Sequence, residues 1–164
     1  METPNWDDYF MTMVYLTASK SKDKKTHIGA VVVDDLNVVR SLGYNGFPRG
    51  LNDNIPERQE RPEKYYWMVH AEVNAIYNAR TDLRGCRMYT NGVPCAECAK
   101  GVIQSGIREV IVDYEWDKDN SDKWRENAER ASQMFQEVGV NVRYYKGHFM
   151  GIEKFKNGIS VPLL

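Results

Sequence analysis

Two short segments, His70-Ala71-Glu72 and Pro94-Cys95-Ala96-Glu97-Cys98, constrain this chain more than anything else in it. One imidazole and two thiols make a sufficient set for a catalytic zinc, which keeps three protein ligands and leaves its fourth position to a water acidified to a pKa of about 7. The fold must then bring the two segments together. Proline fits the first turn of a helix, so Cys95 and Cys98 open one as an i, i+3 pair with both sulfurs on one face. His70 opens a second, whose apolar positions Val73, Ile76 and Tyr77 carry it to about Arg80. Two helix N-termini therefore face one site, and their partial positive charge favours thiolates. Glu72 is the remaining tool: it can face the activated water without ligating the metal, and move its proton.

Other readings of the same residues stay open. Cys-x-x-Cys alone also marks structural zinc and redox pairs. A structural site needs a fourth ligand, and the spares are Cys86, His27 and His148, none in a second closely spaced pair. A zinc-held binding module without turnover would leave Glu72 idle. Cys86, just before an apolar strand, reads as a small core residue.

The 164 residues suit one domain over 1–164. Hydrophobic residues at 42% and charged residues at 27% are ordinary for a globular protein. No apolar run approaches the ~20 residues of a membrane span, and Met1 to Trp6 lacks the basic and apolar regions of a secretory signal. Three cysteines, two of them assigned to metal, fit a reducing, cytoplasmic compartment. A net charge of −1 and a pI near 6.3 argue against a nucleic-acid surface and favour a small substrate. The basic run from Lys20 to Lys25 is the local exception.

Periodicity supplies the frame. Asn5 caps a helix with Asp7 and Asp8 in its first turn, and Trp6, Phe10, Met13, Val14 and Thr17 form its apolar stripe to about Ser19. Ile28–Val33 and Val38–Tyr44 read as a hairpin. Asn45 to Val69 reads as a long loop packed over the site. Strands over Arg87–Thr90, Glu109–Asp113 and Val140–Tyr144 alternate with the Cys95 helix, ending at Gly106, and with a helix over Asp122–Val138. Such crossovers pair strands in parallel, so the expected fold class is α/β: three layers, α/β/α, around a mixed five-stranded sheet. The tail from Phe149 to Leu164 is assigned to no element.

His70 to Ile76, Pro94 to Lys100, Gln104 to Ile107 and Gly43 to Gly50 resemble, in matching order, the cytidine and deoxycytidylate deaminase family, and its deoxycytidylate branch most. H-x-E followed by P-C-x-x-C is the zinc signature of such deaminases. Its first two blocks are shared with deaminases of free bases, transfer RNA and a riboflavin precursor; the Tyr-Asn-Gly loop discriminates more. The resemblance implies a cytidine-deaminase-like fold and conversion of dCMP to dUMP and ammonia for thymidylate synthesis. It also implies dCTP as activator, dTTP as inhibitor, and a homo-hexamer. Asn45 matches a position that holds the deoxyribose hydroxyl, or else is an Asn-Gly turn residue. Ser21 and Lys22 match a phosphate-binding segment, or else a surface loop. Trp116 stands where relatives place an aromatic near the pyrimidine, often tyrosine, or else packs in the core. For effectors, the segment Gly46-Phe47-Pro48-Arg49-Gly50 would meet triphosphate through amides at Gly46 and Gly50 and the charge of Arg49, and Asn52 or Asp53 would hold its Mg²⁺; the alternative is a rigid surface turn. A nucleic-acid deaminase would need a basic track that the charge disfavours, and a free-nucleoside deaminase would gain nothing from a phosphate pocket.

Overall fold

A computed structural model describes residues 3–119 and 122–163. Met1, Glu2 and Leu164, which figure in the readings of the two termini above, lie outside the described residues.

The β-branched run after Ile28 becomes β1, Gly29–Val33, a strand buried along its whole length. Its alternation divides the interior: Ala30 and Val32 face one side, Val31 and Val33 the other. β2 (Val39–Tyr44) and β3 (Arg87–Thr90) flank it antiparallel, β4 (Glu109–Asp113) pairs parallel with β3, and β5 (Asn141–Tyr145) parallel with β4. The order β2-β1-β3-β4-β5 is the mixed five-stranded sheet expected.

One face is covered by α1, Trp6–Ala18, capped by Asn5, whose Oδ1 accepts from the Asp8 amide at 2.8 Å. Phe10, Met11 and Val14 pack on Val31, Tyr89 and Ile111. Met11 takes the fully buried place expected of Met13. The opposite face carries α3 (Ala71–Asn78), α4 (Ala96–Gln104) and α6 (Asp122–Val138), whose Ala75, Val102 and Phe135 lie on Val32, Met88 and Val110. β2 meets α3 so closely that a Cβ on Gly43 would stand 2.2 Å from the Ala71 carbonyl oxygen. Only glycine allows that approach, which fixes where α3 begins.

Differences from the reading are local. The loop after Asn45 contains a 3-10 turn, Pro56–Gln59, and the short helix α2, Lys64–Trp67. α3 stops at Asn78 because Ala79 turns extended, and α5 (Tyr114–Asp117) follows β4 directly, its Glu115 amide held by Asp113 Oδ1. The tail forms a hairpin, β6 (Glu153–Lys156) and β7 (Ile159–Pro162). Asn157 and Gly158 both take positive φ, as a tight hairpin turn requires. Among the described residues, no helix is long and apolar enough to cross a membrane.

Candidate active site

His70 and Cys95 each occupy the N-cap of a site helix, with extended backbone at φ −71°, ψ 154° and φ −66°, ψ 166°. A side chain at an N-cap leaves the helix axis and reaches across its mouth. The Cys95 sulfur accepts from the Cys98 amide at 3.4 Å, and the free amide of Ala96 donates to Asn127 Oδ1 of α6 at 2.6 Å. His70 Nδ1 lies 3.4 Å from Cys95 Sγ and 3.3 Å from Cys98 Sγ, with all three donor atoms within 4.8 Å of one another. Tetrahedral zinc, with Zn–S near 2.3 Å and Zn–N near 2.0–2.1 Å, sets its ligand atoms roughly 3.6–3.8 Å apart. The donors fit that ion with a shift of a few tenths of an ångström. Among the described residues no other group of three His, Cys, Asp or Glu side chains meets the same condition.

The charge states match a cation site. Hydrogen bonding from Cys98, and after it from His70, holds the Cys95 thiol below the ordinary thiol range against the effect of burial. Cys98, the donor of that pair, is held up by the same bond and by burial. The two sulfurs share a proton that a metal ion would replace. Glu72 is buried at 6% exposure, and burial raises its pKa, so the carboxyl holds a proton more readily than an ordinary glutamic acid.

His70, Glu72 and Cys95 form part of the wall of a cavity of about 730 Å³. The lid half of the 45–69 loop closes one side with Arg61, Lys64, Tyr65 and Met68, so the expected packing over the site holds for that half. Trp116, Asp113, Glu115 and Asp119 also line it, and Trp124 joins from α6, its ring edge-on to His70 at 6.2 Å.

Sequence reading placed some of these residues and not others. Trp116 and Asn45 both line the cavity. Asn45 is buried and engaged: its Oδ1 accepts from the Ile28 amide at 2.8 Å and its Nδ2 donates to the Thr26 carbonyl at 2.9 Å. Ser21 and Lys22 are not brought to the cavity. The Ser21 hydroxyl is buried, donating to the Asn45 carbonyl at 2.9 Å, while Lys22 is 73% exposed and paired with Asp53 at 2.8 Å. The charged member of that run that is buried is an acid. Asp23 is buried, accepting from the Lys25 and Thr26 amides and from Lys64 Nζ at 2.7 Å. None of the expected effector residues lines the cavity. Gly46 bridges to Val69, Phe47 is half-buried, and Arg49 donates to Asn78 at 2.6 Å. Asn52 accepts from the Asn54 amide, and Asp53 holds Lys22. Sequence reading passed over Asp23, Arg61, Lys64 and Trp124, which carry no motif; a lysine beside the aromatic Tyr65-Tyr66-Trp67 was the one available signal.

A three-layer sheet, two facing helix N-termini, a His-Cys-Cys donor set and a buried glutamate define a zinc-type hydrolytic deaminase. The sequence model of the cytidine and deoxycytidylate deaminase zinc-binding region matches residues 4–114, and the chain belongs to that family. It is 39% identical over 148 residues to the deoxycytidylate deaminase of Homo sapiens, covering 85% of this chain and 79% of that protein. With a probable deoxycytidylate deaminase of Drosophila melanogaster it shares 41% over 157 residues, covering 88% and 72%. In fold it resembles the dCMP deaminase of cyanophage S-TIM5, solved without ligand, with a TM-score of 0.67 at 23% identity over 88% of this chain and 100% of that one.

Proposed function

We propose that the chain deaminates dCMP to dUMP and ammonia, supplying thymidylate synthesis in the cytoplasm. The observation that carries this is the buried Glu72 beside the His70, Cys95 and Cys98 donors on one cavity, in a chain about 40% identical to proteins named deoxycytidylate deaminase. Zinc held by His70, Cys95 and Cys98 would supply an acidified water and a positive charge beside the attacking oxygen. Glu72 takes a proton from the attacking water and delivers protons to ring N3 and to the departing amine. The C4–O bond forms first with a proton going to N3, and the C4–N bond breaks afterwards as C4=O closes and the amine takes the second water proton, so one water is consumed for each ammonia released. The N-termini of α3 and α4 oppose the developing negative charge with fixed dipoles. Trp116 and Trp124 offer aromatic walls for the pyrimidine. Asn45 Oδ1, with one of two lone pairs committed to Ile28, has the other for the deoxyribose hydroxyl.

The regulatory reading belongs to the same proposal. In a homo-hexamer, dCTP activates and dTTP inhibits through Gly46, Phe47, Arg49, Asn52 and Asp53, with Mg²⁺ on the triphosphate. Its support is continuity, since Gly46 follows Asn45 and its bridge to Val69 adjoins His70. Ammonia release measured over dCMP, deoxycytidine, CMP, dCTP and single-stranded DNA tests the substrate. Turnover of single-stranded DNA or deoxycytidine in preference to dCMP refutes it. Saturation curves for dCMP that stay hyperbolic and indifferent to both triphosphates refute the regulation alone.

A further inference from the structure

We infer that Tyr15, which lies outside the zinc donor set, is the positioning residue for Trp116: its hydroxyl clamps the acid that starts α5 and so fixes the aromatic wall offered to the pyrimidine. This rests on the dCMP reading and deepens it, by naming what sets the contact with the base. α5 is a single turn of four residues, Tyr114–Asp117. A helix that short has too few internal bonds to hold its own shape in water, so its placement must come from outside. At its start Asp113 is the N-cap, with one carboxylate oxygen accepting from the Glu115 amide at 3.1 Å and the other from the Tyr15 hydroxyl at 2.5 Å. At its end the Asp117 carboxylate accepts from the Val93 amide at 2.9 Å. Trp116 lies between these two anchors, and Tyr15, Asp113, Val93 and Trp116 all line the catalytic cavity.

The Tyr15 anchor ties α5 to α1, a helix 98 residues away in sequence. It also touches the residue it positions. The Tyr15 ring meets Trp116 edge-on with centroids 6.2 Å apart, and Phe149 meets Tyr15 edge-on at 5.0 Å, the geometry that aromatic pairs favour. Asp113 is only 4% exposed, and a carboxylate so buried needs donors for its oxygens. Burial, and after it the bond to Asp113, push the Tyr15 phenol well above the usual tyrosine range, so it keeps its proton and remains the donor. Removing that one hydroxyl leaves both ring contacts in place and frees α5 from α1.

The test is a double-mutant cycle in the zinc-loaded protein, Tyr15→Phe, Trp116→Ala and the two combined, read as KM and kcat for dCMP, inhibition by dUMP and zinc content. Tyr15→Phe should raise KM and weaken dUMP inhibition by roughly 10-fold, the lower end of the range for a hydrogen bond to a charged group. Zinc should stay bound and kcat should change less than KM, as expected when a contact made in ground and transition states alike is loosened. In the Trp116→Ala background the same substitution should add little to KM, because the group it positions is gone. A freed buried carboxylate also lowers stability, so Tyr15→Phe combined with Asp113→Asn tests the same loss without the charge. Asparagine still caps α5, so Tm should return toward the wild-type value while KM stays raised. A KM that recovers with Tm, a wild-type KM in Tyr15→Phe, or equal losses with and without Trp116 overturns this inference alone. A wild-type KM in Trp116→Ala removes the base contact and this inference together, and a wild-type protein that does not turn over dCMP overturns the substrate reading as well.

Discussion

Replacing Lys64 by methionine tests whether the lid is tied down by a buried charge pair. Lys64 Nζ and Asp23 Oδ2 meet at 2.7 Å with side chains only 7% and 3% exposed, joining the lid to the segment before β1. Removing one member of such a pair leaves an uncompensated buried charge and typically costs about 3–5 kcal/mol. Asp23 keeps the amides of Lys25 and Thr26 at 2.8 and 3.2 Å, which places the expected loss near the lower end, about 3 kcal/mol. For a chain of this size that corresponds to a Tm lowered by roughly 6–12 °C. The loss should shrink with acid. In the wild type, burial pushes the Asp23 pKa up, but the hydrogen bond from Lys64 and those from the two amides outweigh it, leaving the carboxyl below 3.8. That stabilisation is present above the unfolded pKa and is lost as pH falls through the folded one. Without Lys64, burial prevails and the folded pKa rises, so protonation relieves the variant at a pH where the wild type is still ionised. Urea denaturation of the zinc-loaded proteins between pH 7 and pH 5 should show the gap narrowing. Asp23→Asn combined with Lys64→Met should regain most of the stability, because neither charge then remains. A gap below about 1 kcal/mol at pH 7, or one independent of pH, would mean that solvent screens the pair and the reasoning fails.

Glu72→Gln should keep one zinc per chain while turnover falls by about 10²–10⁴ or more, because it deletes the proton carrier and no ligand; metal loss in that variant would sink the assignment. Cys95→Ser should release zinc, whereas Cys86→Ser should retain it, since Cys86 is buried in the core among Leu83, Met88 and Ile107; metal analysis separates the two. Gly43→Ala would drive a methyl to 2.2 Å from the Ala71 carbonyl and 2.3 Å from the Ala75 amide nitrogen, pushing back the helix that carries Glu72. It should lower kcat by about 10²-fold or less with zinc still bound, and a wild-type kcat would show that α3 tolerates the shift.

How much of this molecule its sequence discloses follows from how far each feature depends on neighbours in the chain. The mixed sheet was legible because β3, β4 and β5 are short apolar runs separated by helices long enough to force parallel crossovers, while β1 and β2 form a hairpin. The donor cluster was legible because its residues sit at helix starts, where sequence spacing and spatial spacing nearly coincide. Asn157-Gly158 carried a strong hairpin signal, hidden only because the strands it joins are four residues each and exposed along their whole length. The basic run from Lys20 to Lys25 misleads for a different reason. Charge read along a sequence assigns every lysine to the same surface, but folding sorts them: Lys22 turns out to Asp53, Lys25 to the cavity, and Asp23 inward to a lysine far along the chain. A buried carboxylate needs a cation and several amides at once, and two amides come from the next three residues while the cation comes from the lid. The lid's docking brings Arg61 and Lys64 to a cavity that Asp113, Glu115 and Asp119 also line. Local spacing locates the chemistry, and the long-range ion pair holds the lid beside it.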